Sequence, residues 1–156
     1  MLRFILLLVS SYAWASPQQI PEKFTLKSFK KEVVSEQSFK GKGLLLHFWA
    51  PWCHSCSSVV WDLDPILSDY NKVRFVSINI DEDFDAAKKY IEKHKLYSKY
   101  EGSFFFSASE NLRKGLKVES VPSIFVVNQK GQILHHSNSH IDSRTSLAIR
   151  KALKQL

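Results

Sequence analysis

Phe24-Thr25-Leu26-Lys27-Ser28-Phe29 alternates apolar with polar side chains, the two-residue rhythm of a half-buried strand, and Val33-Val34 is placed to return as a short partner. Beyond the Lys40-Gly41-Lys42-Gly43 turn the pattern becomes a continuous apolar run from Leu44 to Trp49, which predicts a central strand covered on both faces. From Cys53 to about Tyr70 the period turns helical. Val59, Val60, Leu63, Ile66 and Leu67 form its core face, and Pro65 marks a kink or a new first turn. Val73 to Ile80 predicts a second strand, followed by a helix that Asp83 and Asp85 can cap, with Ala86, Ala87, Tyr90 and Ile91 on one face and an end near His94-Lys95. Phe104-Phe105-Phe106 fits a short strand, and Ser109 to Gly115 a brief helix. Ser123 to Val127, the turn Asn128 to Gly131, and Gln132 to His135 form a hairpin signal. Ser143 to Leu156 closes the chain as a helix offering Leu147, Ile149 or Ala148, Leu153 and Leu156 to the core. The alternation of strands and helices predicts an α/β fold with a mixed sheet covered by helices, without internal repeats.

The first residues stand outside this pattern. Arg3 precedes the apolar stretch Phe4 to Val9, and Ala13-Trp14-Ala15 supplies an A-x-A cleavage pattern before Ser16-Pro17. Residues 1–15 therefore read as a secretory signal peptide and 16–156 as one domain of an exported protein, with no stable membrane insertion after cleavage. The apolar stretch is far shorter than the ~20 residues that span a bilayer, and no cysteine follows it to take a lipid. An uncleaved anchor, or a chance apolar start of a cytosolic protein, is the alternative. Loss of Arg3 lowers the net charge from +7 to +6. Basic residues alternate with acids and lack a dense cluster or a nucleic-acid motif, so the surface reads as solvated, and no nucleic-acid partner is expected.

Chemistry concentrates in Phe48-Trp49-Ala50-Pro51-Trp52-Cys53-His54-Ser55-Cys56, which holds both cysteines of the chain. A Cys-x-x-Cys pair at the first turn of a helix meets unpaired backbone N–H groups and the helix dipole, which stabilise a thiolate. A structural staple is the bland alternative, but closing so short a loop removes little unfolded-chain entropy. A metal site would want a second ligand pair that is missing here. Trp52, directly before the first cysteine, predicts an apolar apron beside an exposed sulfur.

Together with Phe24-Thr25-Leu26-Lys27, Ser38 to Lys42, Ile78-Asn79-Ile80-Asp81 and Val121-Pro122-Ser123, the Trp52-Cys53-x-x-Cys56 element resembles the exported TlpA/ResA-type thiol-disulfide oxidoreductases of the thioredoxin-like superfamily. The resemblance covers nearly the whole mature chain. It implies a thioredoxin-like fold with a mixed central sheet flanked by helices, an N-terminal strand extension and a central insertion from Lys95 to Ser109. It also implies that Pro122 is cis and packs opposite the dithiol, leaving the backbone of Val121 to pair with a substrate strand. Client proteins with disulfides, such as apocytochrome c or metallochaperone thiols, a membrane-embedded thiol reductant, a bacterial periplasmic location and no cofactor follow from the same likeness.

The expected mechanism has Cys53 attack a client disulfide from the exposed helix N-terminus and Cys56 resolve the mixed disulfide. His47 stands where thioredoxins carry a buried aspartate; it either exchanges a proton with Cys56 or is a hydrogen-bonded core histidine. His54 either stabilises the Cys53 thiolate or points into solvent. Val59 occupies the position where some relatives place an active-site acid. Tyr97, Tyr100 and Phe104 to Phe106 line a client groove or pack in the core. The competing class is a binding module that holds copper or a partner chain through the cysteines and His54, without turnover; His135, His136 and His140 are spaced too irregularly to suggest a metal site.

Overall fold

A computed structural model describes residues 18–95, 99–100 and 102–156; the signal-peptide reading of 1–15 and the groove role of Tyr97 fall outside the described residues. Among the described residues seven strands are present: β1 (Thr25–Ser28), β2 (Val33–Ser35), β3 (Leu44–Trp49), β4 (Arg74–Asn79), β5 (Phe104–Ala108), β6 (Ser123–Val127) and β7 (Ile133–Ser137). They form one sheet in the order β2-β1-β5-β4-β3-β6-β7. β3 runs parallel to β4, and β4 to β5; the remaining pairs are antiparallel. The helices described in full are α1 (Cys56–Asp69), α2 (Phe84–Lys93), α3 (Glu110–Gly115) and α4 (Ser143–Leu153), with a short 3-10 helix at Glu36–Phe39. Among the described residues no helix is long and apolar enough to cross a membrane.

β3 is buried along its whole length because both of its faces are covered. Alternation sends Leu45 and Trp49 into a cluster with α1, α2 and α4, and Leu44, Leu46 and Phe48 into a second cluster with β1, α3 and the 3-10 helix. The same alternation explains the aromatic triplet. Phe104 packs on Trp49 and Phe75 on the first face, Phe105 meets Phe39 on the second, and Phe106 returns to Phe29 and Phe84. Tyr100 packs its ring on Phe75 and gives its hydroxyl to Asp64 on α1. These aromatics of the central insertion are core, so the groove alternative is not what they form.

Other expectations shift in detail. Asp83, rather than Asp85, caps α2, accepting from the Ala86 amide at 2.9 Å. α1 runs through Pro65 as one element, so the proline does not open a new helix; without an N–H it removes the bond the Trp61 carbonyl would accept. Leu147 was expected in the core but is 69% exposed. α4 buries Ile149, Ala152 and Leu153, and Leu147 lies about 200° around the helix from Ile149.

Candidate active site

The site is built where β3 ends and α1 begins. The Trp49 carbonyl is held by the Ile80 amide at 2.8 Å, which ties the end of β3 to the segment following β4. The chain then turns through Ala50, Pro51 and Trp52. The Cys53 amide donates to the Ala50 carbonyl at 3.0 Å and the Cys56 amide to the Cys53 carbonyl at 3.3 Å. α1 starts at Cys56, so Cys53 sits in the turn before the helix rather than at its first residue, which corrects the sequence-based onset. The two cysteines are joined as a disulfide, S–S 2.01 Å, with Cα atoms 5.5 Å apart.

Exposure distinguishes the two sulfurs' residues. Cys53 retains 7% of its surface and Cys56 only 1%. Cys53 is thus more enclosed than the exposed sulfur expected from sequence, since it belongs to the buried cluster that includes Ala50, Cys56 and Val59, yet it remains the more accessible of the pair. The Ser55 hydroxyl is 3.9 Å from Cys53 Sγ. His54 is exposed.

Trp52 is 59% exposed, and its indole N–H donates to Asp81 Oδ2 at 2.8 Å. Asp81 Oδ1 in turn accepts from the Asp83 amide at 2.8 Å. Buried Asn79 fixes this loop, donating to the carbonyls of Asp81 and Phe106 and accepting from the Asp81 amide. The apron is therefore a restrained surface. A second clamp comes from α2, where the Tyr90 hydroxyl donates to the Cys53 carbonyl at 3.0 Å while its ring stacks on Trp49. Asp81 appears in the sequence only within a motif and Tyr90 only as a core position; neither contact with the cysteine segment is visible in a local pattern.

His47 is fully buried on β3. Its strand neighbours on the same face, Leu45 and Trp49, belong to the cluster that contains Cys53 and Cys56. Nδ1 pairs with Ser77 Oγ at 3.1 Å, whereas Nε2 has no hydrogen-bond partner among the described residues. Burial pushes the imidazole down to about 3, so the ring is neutral across the physiological range in this disulfide form. On this geometry it is not a free base poised near neutrality.

The Val121-Pro122 bond is cis and Pro122 is buried. Val121 packs against both core clusters. The β3–β6 ladder ends at Phe48 and Ser123, so Val121 lies two residues beyond it. Ser123 Oγ donates to the Ser120 carbonyl at 2.8 Å and contacts the Asn138 side-chain amide at 3.0 Å, anchoring the proline turn to the segment after β7. The histidines near the hairpin do not converge: His136 stacks on Phe125. Among the described residues no group of three or more His, Cys, Asp or Glu is arranged to hold a metal ion. A cavity of about 640 Å³ lies away from the cysteines, between residues 19–24, the 3-10 helix and the turn at 128–131.

Residues 41–133 match the thioredoxin-like family. The chain is 27% identical over 139 residues to the thioredoxin-like protein YneN of Bacillus subtilis, covering 87% of this chain and 77% of that protein. It is 25% identical over 122 residues to the sporulation thiol-disulfide oxidoreductase A of the same bacterium, covering 73% and 69%. A thiol-disulfide oxidoreductase from Bacteroides fragilis superposes with a TM-score of 0.67 at 25% identity, covering 88% of this chain and 98% of that one. StoA from Bacillus subtilis superposes with a TM-score of 0.64 at 20% identity, covering 86% and 98%, a likeness of fold.

Proposed function

The chain belongs to the thioredoxin-like family, and on that premise we propose that it is an exported thiol-disulfide oxidoreductase that reduces disulfides of client proteins. The observation that carries this reading is the Cys53–Cys56 disulfide at the entry of α1, with one cysteine more accessible than the other beside a restrained, exposed Trp52. In the dithiol form Cys53 loses its proton to solvent, and the thiolate attacks one sulfur of a client disulfide. A Cys53–client bond forms as the client S–S bond breaks, and one client thiolate leaves. Cys56, deprotonated in turn, attacks Cys53 Sγ, forming the Cys53–Cys56 bond and releasing the second client thiolate. Two electrons pass to the client, whose thiolates take up two protons. An external, membrane-embedded dithiol donor restores the reduced form.

Val121, two residues beyond the end of the β3–β6 ladder, supports recognition by pairing its main chain with an extended client segment. His47 lies on the β3 face that it shares with Leu45 and Trp49, residues of the cluster that holds Cys56, and it exchanges a proton with Cys56 only transiently, its low pKa making it a weak base. Replacing His47 with Ala then slows resolution of the mixed disulfide at neutral pH, and an unchanged rate sinks that role. The residues 1–15 act as the export signal, placing the domain in the periplasm of a bacterium.

Two measurements test the proposal. Cys53→Ala loses exchange while Cys56→Ala accumulates a client adduct; an active Cys53→Ala protein refutes the assignment. The equilibrium potential of the couple, read by thiol labelling in redox buffers, sets the direction. A value below about −250 mV fits a client reductant, and one above about −180 mV points to an oxidase or isomerase.

A further inference from the structure

Tyr90 is the one side chain from outside the cysteine segment whose hydroxyl the described contacts place on that segment's main chain. It comes from α2, 37 residues along the chain, and its ring is held between Trp49, at 5.1 Å, and His94, at 4.6 Å. Two packed rings leave the phenol little freedom, so its O–H is aimed at the Cys53 carbonyl by the fold. That carbonyl already accepts from the Cys56 amide, and the phenol adds a second donor.

We propose that Tyr90 is a positioning residue that tunes the acidity of Cys53 through the Cys53 carbonyl. The carbonyl oxygen carries partial negative charge on the same residue as the nucleophilic sulfur, and a charge of like sign disfavours the thiolate. A phenol O–H pointed at that oxygen offsets the charge, and it also fixes the orientation of the 53–54 peptide, the unit from which the turn into α1 begins. Hydrogen bonds that favour the charged form of a group lower its pKa, and here the effect is transmitted through one intervening carbonyl. Tyr90 therefore holds Cys53 as a more competent nucleophile at a given pH, without touching sulfur or client. This rests on the assignment of Cys53 as nucleophile.

The test is Tyr90→Phe, which keeps both ring contacts and removes only the hydroxyl. The rate of alkylation of reduced protein is followed against pH in a Cys56→Ala background, with the unmodified Tyr90 protein alongside. A single hydrogen bond acting through one carbonyl should raise the Cys53 midpoint by about half a pH unit, lowering the rate about threefold below the midpoint and leaving the plateau above it unchanged. A fluorinated tyrosine at position 90, a stronger donor of the same shape, moves the midpoint the other way, and decides the matter if Tyr90→Phe folds poorly. An unmoved midpoint in both variants, or a lowered plateau with an unmoved midpoint, overturns the role of Tyr90. Absence of a Cys53-dependent alkylation profile in the Tyr90 protein instead overturns the assignment of the nucleophile.

Discussion

The two faces of the sheet are built to different standards. On the face of β1, α3 and the 3-10 helix, aromatic rings mostly meet one another: Phe24 stacks on Phe39, Phe39 meets Phe105 edge-on, and Phe48 meets Phe125 edge-on, with His136 stacked on Phe125 at its border. The other face holds the disulfide and, in the same layer, His47 and Trp49. All three buried side-chain nitrogens without a protein partner among the described residues, on His47, Trp49 and His135, belong to residues of this face, His135 standing opposite Val126. Burying a polar group without a hydrogen bond costs stability. One face thus supplies insulation and cohesion, while the other tolerates costly groups beside the reactive sulfurs.

The sharpest way to separate the faces is to damage each in turn. Cys53→Ala should reduce exchange to the uncatalysed background while costing only about 2 kcal/mol of stability, because a three-residue separation constrains the unfolded chain less than a long loop does. Phe125→Ala on the insulating face should do the reverse. Truncating a buried aromatic costs about 4 kcal/mol in denaturant unfolding, with the exchange rate per folded molecule retained. Comparable activity losses from both would break the division.

The next effect is acid sensitivity. His47 has a folded pKa of about 3, below its ordinary 6.5, so between these values the unfolded chain binds the extra proton. Its contribution to stability is complete above 6.5 and is lost as pH falls. At pH 5 the protein should be about 2 kcal/mol less stable through this ring than at neutral pH. His47→Leu should flatten that part of the unfolding-versus-pH curve, and an identical acid slope in the variant would show the ring to be incidental.

Smaller effects lie at the margins of the reactive face. Tyr100→Phe removes the hydroxyl that Asp64 accepts and should cost about 1 kcal/mol, with exchange unaffected. If the exposed His54 supports the thiolate, His54→Leu should make the couple less oxidising by about 10–30 mV, measured in the same redox buffers. An unchanged potential assigns His54 to solvent.

Much of this division was legible in the chain. The β3 run, the β6–β7 hairpin and the cysteine pair are local signals, and local signals survive folding. The sequence also placed Val59, Val60, Leu63 and Ile66 on a buried helix face, as they are. Leu147 misled because hydrophobicity alone does not say which stripe of a short helix faces inward, and Ile149 with Ala152 and Leu153 defines a different stripe. Phe104 to Phe106 stayed ambiguous because a strand buried on both faces has no alternation to read. The grip of Tyr90 on the Cys53 carbonyl joins a side chain to a main-chain atom far along the chain, and it follows only once α2 is docked beside Trp49. That Asp81 restrains Trp52 was not legible, for the same reason.

The order of strands carries a colloidal consequence. A sheet protein is at risk of lending its edge backbone to copies of itself, since an unpaired sheet edge templates aggregation. Here the outer strand on one side, β2, is three residues long, follows Lys30-Lys31-Glu32 and runs directly into the 3-10 helix. On the other side, the β6–β7 pairing is broken by a register shift next to Val127. Neither border offers a long, flat, regular template, so self-stacking in a crowded compartment is discouraged.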